Sequence, residues 1–140
     1  MAILDDLRRE RGLALLFITH DLELAGAVCD RTAVMYAGEI VEERSSVLLH
    51  DDPLHPYTAA LVAARPDVAA TTRRLAAIAG RPLSCFEAPS GACAFEPRCR
   101  FAEAACRESH PPLGELSGGH VRCRRASELR GRVLPEGVHG

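Results

Sequence analysis

Four cysteines in the second half of the chain have a spacing that could hold a metal. They are separated by five, six and sixteen intervening residues: Cys93, Cys99, Cys106 and Cys123. Four thiolates are the ligand set of tetrahedral zinc or of a 4Fe-4S iron-sulfur cluster. Structural zinc usually takes cysteine pairs about two to four residues apart, so these wider gaps suit a larger inorganic core. The alternative is that the thiols are free and merely buried, or that the site is vestigial.

A second candidate site is formed by His20 and Asp21, which follow the apolar run of residues 13–18. A buried parallel strand has such a short apolar run, and ligands of open α/β sheets bind just beyond the carboxyl ends of these strands. This pattern places His20 where a ligand would bind. The alternative is that Thr19 or Asp21 caps the next helix and that His20 is an ordinary surface histidine.

Other cysteines and histidines have simpler explanations. His110 and His120 are possible substitute metal ligands, but a surface position explains each of them better. Cys29 and Cys85 are expected to be small buried hydrophobes.

Arginine is the main source of positive charge near the four cysteines, and six of these side chains flank them: Arg98, Arg100, Arg107, Arg122, Arg124 and Arg125. Four thiolates outweigh the charge of either metal centre, so nearby guanidinium groups are expected to offset the excess and lower the thiol pKa values. Because no aromatic residues interleave with the arginines in a basic patch, we expect no nucleic-acid partner.

The chain contains 17 basic residues and none of them is lysine. A P-loop requires a lysine that reaches the β- and γ-phosphates of a nucleotide, so the chain has no P-loop. No run of about 18 apolar residues is present and the first residues do not resemble a signal peptide, which predicts a cytosolic protein.

The periodicity predicts a helix at 21–28, strands at 32–36 and 39–43, a short helix at 44–50 and another helix near 57–64. A first helix from residue 3 is expected to end at Gly12, and residues 73–79 are a helical turn or a strand. The main core is expected in the first third. From Gly80 onward the pattern predicts a unit built of loops rather than of a sheet. Because the apolar surface of this unit is small, we expect a cross-link to hold it together.

The first part of this pattern resembles the end of an ATP-binding-cassette (ABC) ATPase domain. Residues 15–21, Leu-Leu-Phe-Ile-Thr-His-Asp, are similar to the switch-histidine loop, and residues 31–42 are similar to the hairpin that closes the domain. The resemblance implies ATP with magnesium in the intact domain. It also implies that His20 hydrogen-bonds the γ-phosphate and helps to position the attacking water across a dimer interface, with Asp21 as its orienter or as a helix cap.

A second resemblance covers residues 52–61, which look like the His-Pro-Tyr extension of oligopeptide and dipeptide importers. His55 and Tyr57 of this extension could contact nucleotide or a neighbouring subunit, but a turn that positions the next helix explains them adequately. Those importers also carry a cysteine-rich tail in which the four cysteines have counterparts. Some members hold an iron-sulfur cluster there, so the resemblance favours iron-sulfur over zinc.

The expected fold class is therefore α/β: an incomplete C-terminal piece of a P-loop ABC ATPase domain, followed by a small irregular cysteine-rich tail. We expect the ATPase end at residues 1–51, the His-Pro-Tyr extension and linker at 52–80, and the tail at 81–140. The resemblance implies part of an ATP-binding subunit of a peptide importer, with nickel as another possible substrate. Its partners would be permease subunits and a second ATPase subunit at the inner face of the cell membrane.

The chain is not expected to hydrolyse ATP alone, because the Walker A, signature and Walker B motifs are absent. One alternative is a stand-alone iron-sulfur or zinc module whose first 50 or so residues only dock it to a partner. Another is a non-functional remnant, since a parallel sheet needs neighbouring strands.

Overall fold

The computed structural model describes residues 10–64 and 78–134. Its regular elements are, in chain order, α1 (Leu22–Val28), β1 (Arg31–Tyr36), β2 (Glu39–Ser45), α2 (Ser46–Asp51), α3 (Pro56–Ala63), a 3-10 turn (Glu96–Arg98), α4 (Ala104–Glu108), β3 (Gly114–Leu116), β4 (Gly119–Val121) and α5 (Ala126–Leu129). The strands form one antiparallel sheet with the order β1-β2-β4-β3. The mixed α and β content agrees with the expected class, whereas a parallel sheet is not found in the part of the chain that is described.

The hairpin of β1 and β2 lies where the sequence predicts it. Ala37 has φ of 48° and Gly38 has φ of 84°, and two successive positive φ values are typical of the tight turns that suit the twist of a hairpin. The strands pair from Arg31 opposite Ser45 to Tyr36 opposite Glu39, with a register shift after Val34. The hairpin prediction is confirmed.

The apolar run of residues 13–18 is not a strand in this structure. Leu16 and Ile18 are 88% and 87% exposed, and Leu13 and Leu15 are more than half exposed. A parallel strand is stable only when neighbouring strands pair with it and both faces are covered. The described residues place no strand beside this run, so the prediction of a buried strand that ends at His20 is wrong here.

The short helices start at the residues that can cap them. Ser45 Oγ accepts the main-chain N–H of Leu48 at 3.4 Å at the start of α2, and Pro56 occupies the first turn of α3. Both helices fall at their expected positions. Gly12 has φ of +61°, which suits the end of a helix. Residues 10 and 11 are helical, as expected for the end of the first helix. The earlier part of that helix and most of the segment 73–79 lie outside the described residues.

The tail joins the sheet instead of forming a separate loop-built unit. Strand β4 pairs with β2 through Glu42 opposite Val121 and Glu43 opposite His120. The two strands approach closely at Gly119, where an added Cβ would lie 2.4 Å from the carbonyl oxygen of Glu43. The prediction that the tail contains no sheet is therefore wrong.

The largest buried cluster combines the hairpin with the tail. Its buried members come from β1, β2, α2 and the residues before the 3-10 turn: Val34, Tyr36, Val41, Leu49, Ala94 and Phe95. The rings of Tyr36 and Phe95 meet edge to face with their centroids 5.3 Å apart. The core expected in the first third of the chain is therefore completed by buried residues of the tail.

Candidate functional site

The four cysteines predicted as metal ligands line one cavity: Cys93, Cys99, Cys106 and Cys123. Phe95, Phe101 and Leu129 supply apolar walls, and His55 reaches the same cavity from the start of α3. The structure therefore brings together thiols from four separate points of the tail.

Short local elements position these cysteines. The main-chain N–H of Cys93 donates to the carbonyl of Cys106 at 2.9 Å, which ties the segment before the 3-10 turn to α4. Cys99 ends the 3-10 turn, donating to the Glu96 carbonyl at 3.1 Å. Cys123 lies shortly after β4, and its carbonyl accepts the N–H of Ala126 at 3.2 Å as α5 begins. Each thiol is thus fixed by main-chain hydrogen bonds around it.

Main-chain N–H groups lower the pKa of three of the four thiols: that of Phe95 acts on Cys93, that of Phe101 on Cys99, and that of Arg125 on Cys123. A hydrogen bond to a thiolate favours its charged form.

Burial nevertheless dominates the protonation of these thiols. It raises the pKa of Cys93 and brings the pKa of Cys99 and of Cys123 to about 11. Without a metal, these thiols are protonated near neutral pH. The expectation that flanking arginines lower the thiol pKa values below normal is wrong.

The arginines fail to lower these pKa values because their guanidinium groups are engaged elsewhere. Arg98 Nε donates to the carbonyl of Ala79 at 2.8 Å, and Arg122 Nε donates to the carbonyl of Ile40 at 3.0 Å. Arg125 makes a minor lowering contribution to the pKa of Cys99. The arginines mainly tie the tail together.

The thiols do not form a closed metal site as they stand. Within residues 10–64 and 78–134, no group of three or more His, Cys, Asp or Glu side chains is arranged to hold a metal ion. The candidate substitute ligands are bonded elsewhere, since His110 Nε2 lies 2.9 Å from Glu39 Oε1 and His120 Nδ1 lies 3.4 Å from Glu43 Oε2. The donor chemistry fits a metal that prefers sulfur, but the four side chains would have to move to hold it.

His55 is a buried part of the site whose connections the sequence did not reveal. Its side chain is 1% exposed, and burial lowers its pKa to about 3, so the ring is neutral. Nδ1 accepts the main-chain N–H of Tyr57 at 3.0 Å and so caps α3. The ring also lies 5.8 Å from the ring of Phe95, measured between centroids. The interpretation of this segment as a positioning turn agrees with these contacts.

A buried ion pair beneath this turn was also missed. The Glu42 carboxylate accepts the main-chain N–H groups of Leu54 at 2.9 Å and of His55 at 2.8 Å. Arg44, 1% exposed, donates to the carbonyls of Asp52 and Ser117. Charged residues in an exposed hairpin normally face water, so the only available signal was their i, i+2 spacing, which puts both on one face of β2.

At the other candidate site, Asp21 is the cap of α1. Its Oδ1 accepts the main-chain N–H groups of Glu23 at 2.9 Å and Leu24 at 3.0 Å. Thr19 Oγ1 in turn accepts the N–H of Asp21 at 2.9 Å. The expected cap is confirmed. His20 is exposed, and its contact with a nucleotide stays a prediction.

The two remaining cysteines differ from expectation. Cys85 is exposed rather than buried, and Cys29 is half-buried at the end of α1. Neither lines the cavity of the other four. No described helix has the length and apolar character needed to cross a membrane.

Comparison with known proteins places these features in a class. Residues 41–106 match the C-terminal region of oligopeptide/dipeptide transporters. A probable peptide ABC transporter ATP-binding protein of Sinorhizobium fredii is 42% identical over 92% of this chain and 39% of its own length. A putative peptide import ATP-binding protein of Brucella abortus is 44% identical over 86% of this chain and 36% of its own length. A dipeptide transport ATP-binding protein of Haemophilus influenzae is 37% identical over 96% of this chain and 40% of its own length.

The chain therefore matches the C-terminal region of ATP-binding proteins of ABC transporters. Within that class, the relatives named above are those of peptide and dipeptide transport, which confirms the family resemblance. The chain spans about two fifths of the length of these relatives. The matches give no support to a stand-alone metal module or to a non-functional remnant.

Proposed function

We propose that this chain supplies the C-terminal part of an ATP-binding subunit of a peptide importer. The complete subunit would couple hydrolysis of ATP, with magnesium, to peptide transport. The observation that carries this proposal is the 42% identity to a peptide transporter ATP-binding protein over 92% of the chain. Its partners are permease subunits and a second ATP-binding subunit, at the inner face of the cell membrane.

In the assembled subunit, His20 hydrogen-bonds the γ-phosphate and helps to orient the attacking water. A neutral imidazole does this near pH 7 by donating from one nitrogen. Asp21 holds the loop by capping α1, so the position of His20 depends on the helix that follows it. Because phosphoryl transfer needs several positioned groups and this chain has no lysine, the phosphate-binding lysine comes from another segment.

The exposed apolar run supports the same assignment. Leu16 and Ile18 expose most of their side chains to water directly before His20. Burial of such side chains contributes about 1.5–3 kcal/mol each. Strands of a fuller ATPase domain are the partner that would cover this run and turn it into the strand that the sequence predicts.

The test is a chimera in which this chain replaces the matching 40% of the Haemophilus influenzae relative. We expect ATP hydrolysis by the chimera, a loss of about 100-fold or more in His20→Ala, and no hydrolysis by this chain alone. His120→Ala, on the distant β4, is the control and should retain activity. A fully active His20→Ala chimera would contradict the role of this histidine.

We further propose that the four cysteines hold a metal centre with thiolate ligands. Their shared cavity supports it. The resemblance favours a 4Fe-4S cluster over zinc, and a bound cluster would add one-electron chemistry. The chain itself supplies the four sulfurs and the apolar walls beside them.

Anaerobic reconstitution with iron and sulfide, or with zinc, tests this second proposal. A cluster should absorb near ~400 nm, and the absorption should disappear in Cys99→Ser but persist in Cys85→Ser, because Cys85 lies outside the cavity. Retention of one zinc per chain with the same dependence on Cys99 would instead identify zinc. If wild type retains neither metal, the proposal is wrong.

A further inference from the structure

We propose that His50 is a positioning residue for the segment that carries His20: its imidazole holds the start of α1 through the main-chain carbonyl of Leu22, two residues after His20. The consequence for catalysis rests on the proposed function of His20. The positioning itself is a property of this chain and is measured without nucleotide.

Helix α1 needs support from outside because little of it is buried. It has seven residues, and Ala25 is its one buried member. Isolated helices shorter than about 12–15 residues are marginal in water. The position of α1, and of the residues directly before it, therefore depends on hydrogen bonds to neighbouring elements.

Helix α2 supplies such hydrogen bonds at both ends of α1. His50 Nε2 lies 3.0 Å from the main-chain carbonyl oxygen of Leu22, in the first turn. Ser46 Oγ donates to the carbonyl of Cys29 at 2.6 Å, just after the last turn. A carbonyl can only accept, so His50 Nε2 is the donor. Two side chains of one short helix thus hold the beginning and the end of the other.

Gly26 lets the His50 ring come this close. A Cβ added at residue 26 would lie 2.7 Å from His50 Nε2 and 3.2 Å from its Cδ2, so the ring rests directly against the main chain of α1. A side chain at this position would push the ring away from Leu22. Glycine is a poor helix former, and the close approach of the ring gives a physical reason for a glycine in the middle of α1.

The first turn of α1 is connected in turn to both neighbours of His20. Asp21 Oδ1 accepts main-chain N–H groups of that turn, and the N–H of Asp21 donates to Thr19 Oγ1 at 2.9 Å. His20 itself is exposed, so its position is set by these neighbours rather than by packing. The bond from His50 holds the turn on which they depend against α2.

Two substitutions separate the hydrogen bond from the presence of a polar side chain. In His50→Gln the amide brings an N–H group to the position of Nε2, because the two nitrogens are the same number of bonds from Cβ. In His50→Asn the amide is one carbon shorter, and its donor does not reach Leu22. His50 is half-buried and both replacements are polar, so both variants are expected to fold.

Amide hydrogen exchange in the full chain, followed by NMR, is the primary measurement. We expect the N–H groups of Glu23 and Leu24 to exchange about fivefold to tenfold faster in His50→Asn, because α1 opens more often once this hydrogen bond is lost. His50→Gln should stay within about twofold of wild type. The N–H groups of the β1–β2 hairpin are the internal reference and should change by less than about twofold.

Gly26→Ala is an independent way to displace the ring. Alanine favours the helix, so in the His50→Asn background it should slow the exchange of Glu23 and Leu24. With His50 present, the added Cβ displaces the ring, and this slowing should be reduced or lost. Equal slowing in the two backgrounds would overturn the inference.

The chimera with the Haemophilus influenzae relative measures the consequence for catalysis. His50→Asn should lower kcat for ATP hydrolysis by about fivefold or more, since small errors of position are costly, and change KM for ATP by less than about twofold. His50→Gln should restore kcat, and Gly26→Ala should lower it as His50→Asn does. In the His20→Ala background, His50→Asn should have no further effect, whereas a merely structural role would lower kcat in both backgrounds.

The two measurements fail separately. A fully active His20→Ala chimera contradicts the proposed function, while the exchange rates still decide whether His50 holds α1. Unchanged exchange of Glu23 and Leu24 in His50→Asn, with folding checked by circular dichroism, overturns the positioning. An equal loss of kcat with and without His20 overturns its route through that residue. If His50→Asn does not fold, Gly26→Ala decides by the same comparison of kcat.

Discussion

Arg44 lies two residues after Glu42 on β2, and the two side chains form an ion pair with 3.9 Å between Arg44 Nη1 and Glu42 Oε1. They are 1% and 0% exposed, so both charges lie in the interior. Each also bonds main-chain groups of a different segment: Glu42 holds the start of α3, and Arg44 holds the turn between β3 and β4. The pair therefore joins three parts of the fold at one point.

Removal of the Glu42 side chain should destabilise the fold. Glu42→Ala leaves the Arg44 charge buried without its partner and removes the acceptors of two main-chain N–H groups, so the free energy of unfolding should fall by about 3–5 kcal/mol. Urea denaturation measures it. The neighbouring Glu43→Ala removes a surface pair with Arg31 and should cost about 1 kcal/mol at most. Equal effects of the two substitutions would mean that the buried pair has no special role.

Acid should destabilise the protein through His55. Burial lowers its pKa in the folded state to about 3, from an ordinary value of 6.5. The unfolded chain therefore binds a proton that the folded chain excludes, and stability falls as pH drops below 6.5, by up to about 1.4 kcal/mol per pH unit.

Urea midpoints measured between pH 7 and pH 5 test this dependence. His55→Gln has no titrating ring and should show a shallower loss over the same interval. Parallel curves for wild type and His55→Gln would exclude His55 as the cause. The interval stays above the titration of most carboxyl groups, which keeps their contribution small.

Metal binding should release protons. Burial brings the pKa of Cys99 and of Cys123 to about 11, so a metal must displace their protons at neutral pH. Zinc affinity should rise by about tenfold per pH unit for each thiol that loses a proton. Competition with a chelator at pH 6, 7 and 8 measures the slope, and Cys123→Ser should reduce it. A slope of zero would show that the ligands are already ionised.

Gly119 should tolerate no side chain. A Cβ there would lie 2.3 Å from Arg44 Cγ and 2.4 Å from the carbonyl oxygen of Glu43, so Gly119→Ala must push β4 away from β2. We expect a loss of about 2–3 kcal/mol. Gly114 on the adjacent β3 has nothing within 4 Å of an added Cβ, and Gly114→Ala should change stability by no more than about 0.5 kcal/mol. Thermal unfolding of the pair compares them, and similar melting temperatures would contradict the close approach.

Local sequence signals predicted the elements that depend on local physics. The turn at Ala37 and Gly38 marks the hairpin, and Asp21 caps its helix as expected. The strand expected before His20 failed because its stability depends on neighbours that the described residues do not include. A short apolar run shows what a segment can bury, but not whether a partner is present to bury it.

The long-range features were not predicted from the sequence, for a related reason. Strands β3 and β4 have three residues each, too few for an alternating pattern to be visible. Counting charges also predicted the wrong direction for the shift of the thiol pKa values. The effect of burial is larger than that of arginines that bond elsewhere. The grouping of the four cysteines was anticipated from their number, while the place of His55 beside them depends on contacts between residues far apart in the chain.

The pairing of β2 with β4 also bears on how the molecule forms. The hairpin of β1 and β2 can close quickly, since its strands are joined by a two-residue turn. The contact between Glu43 and His120 must instead gather a long intervening stretch, which is slow because of the entropy of loop closure. During synthesis, the edge of β2 consequently stays open to other strands until β4 has left the ribosome.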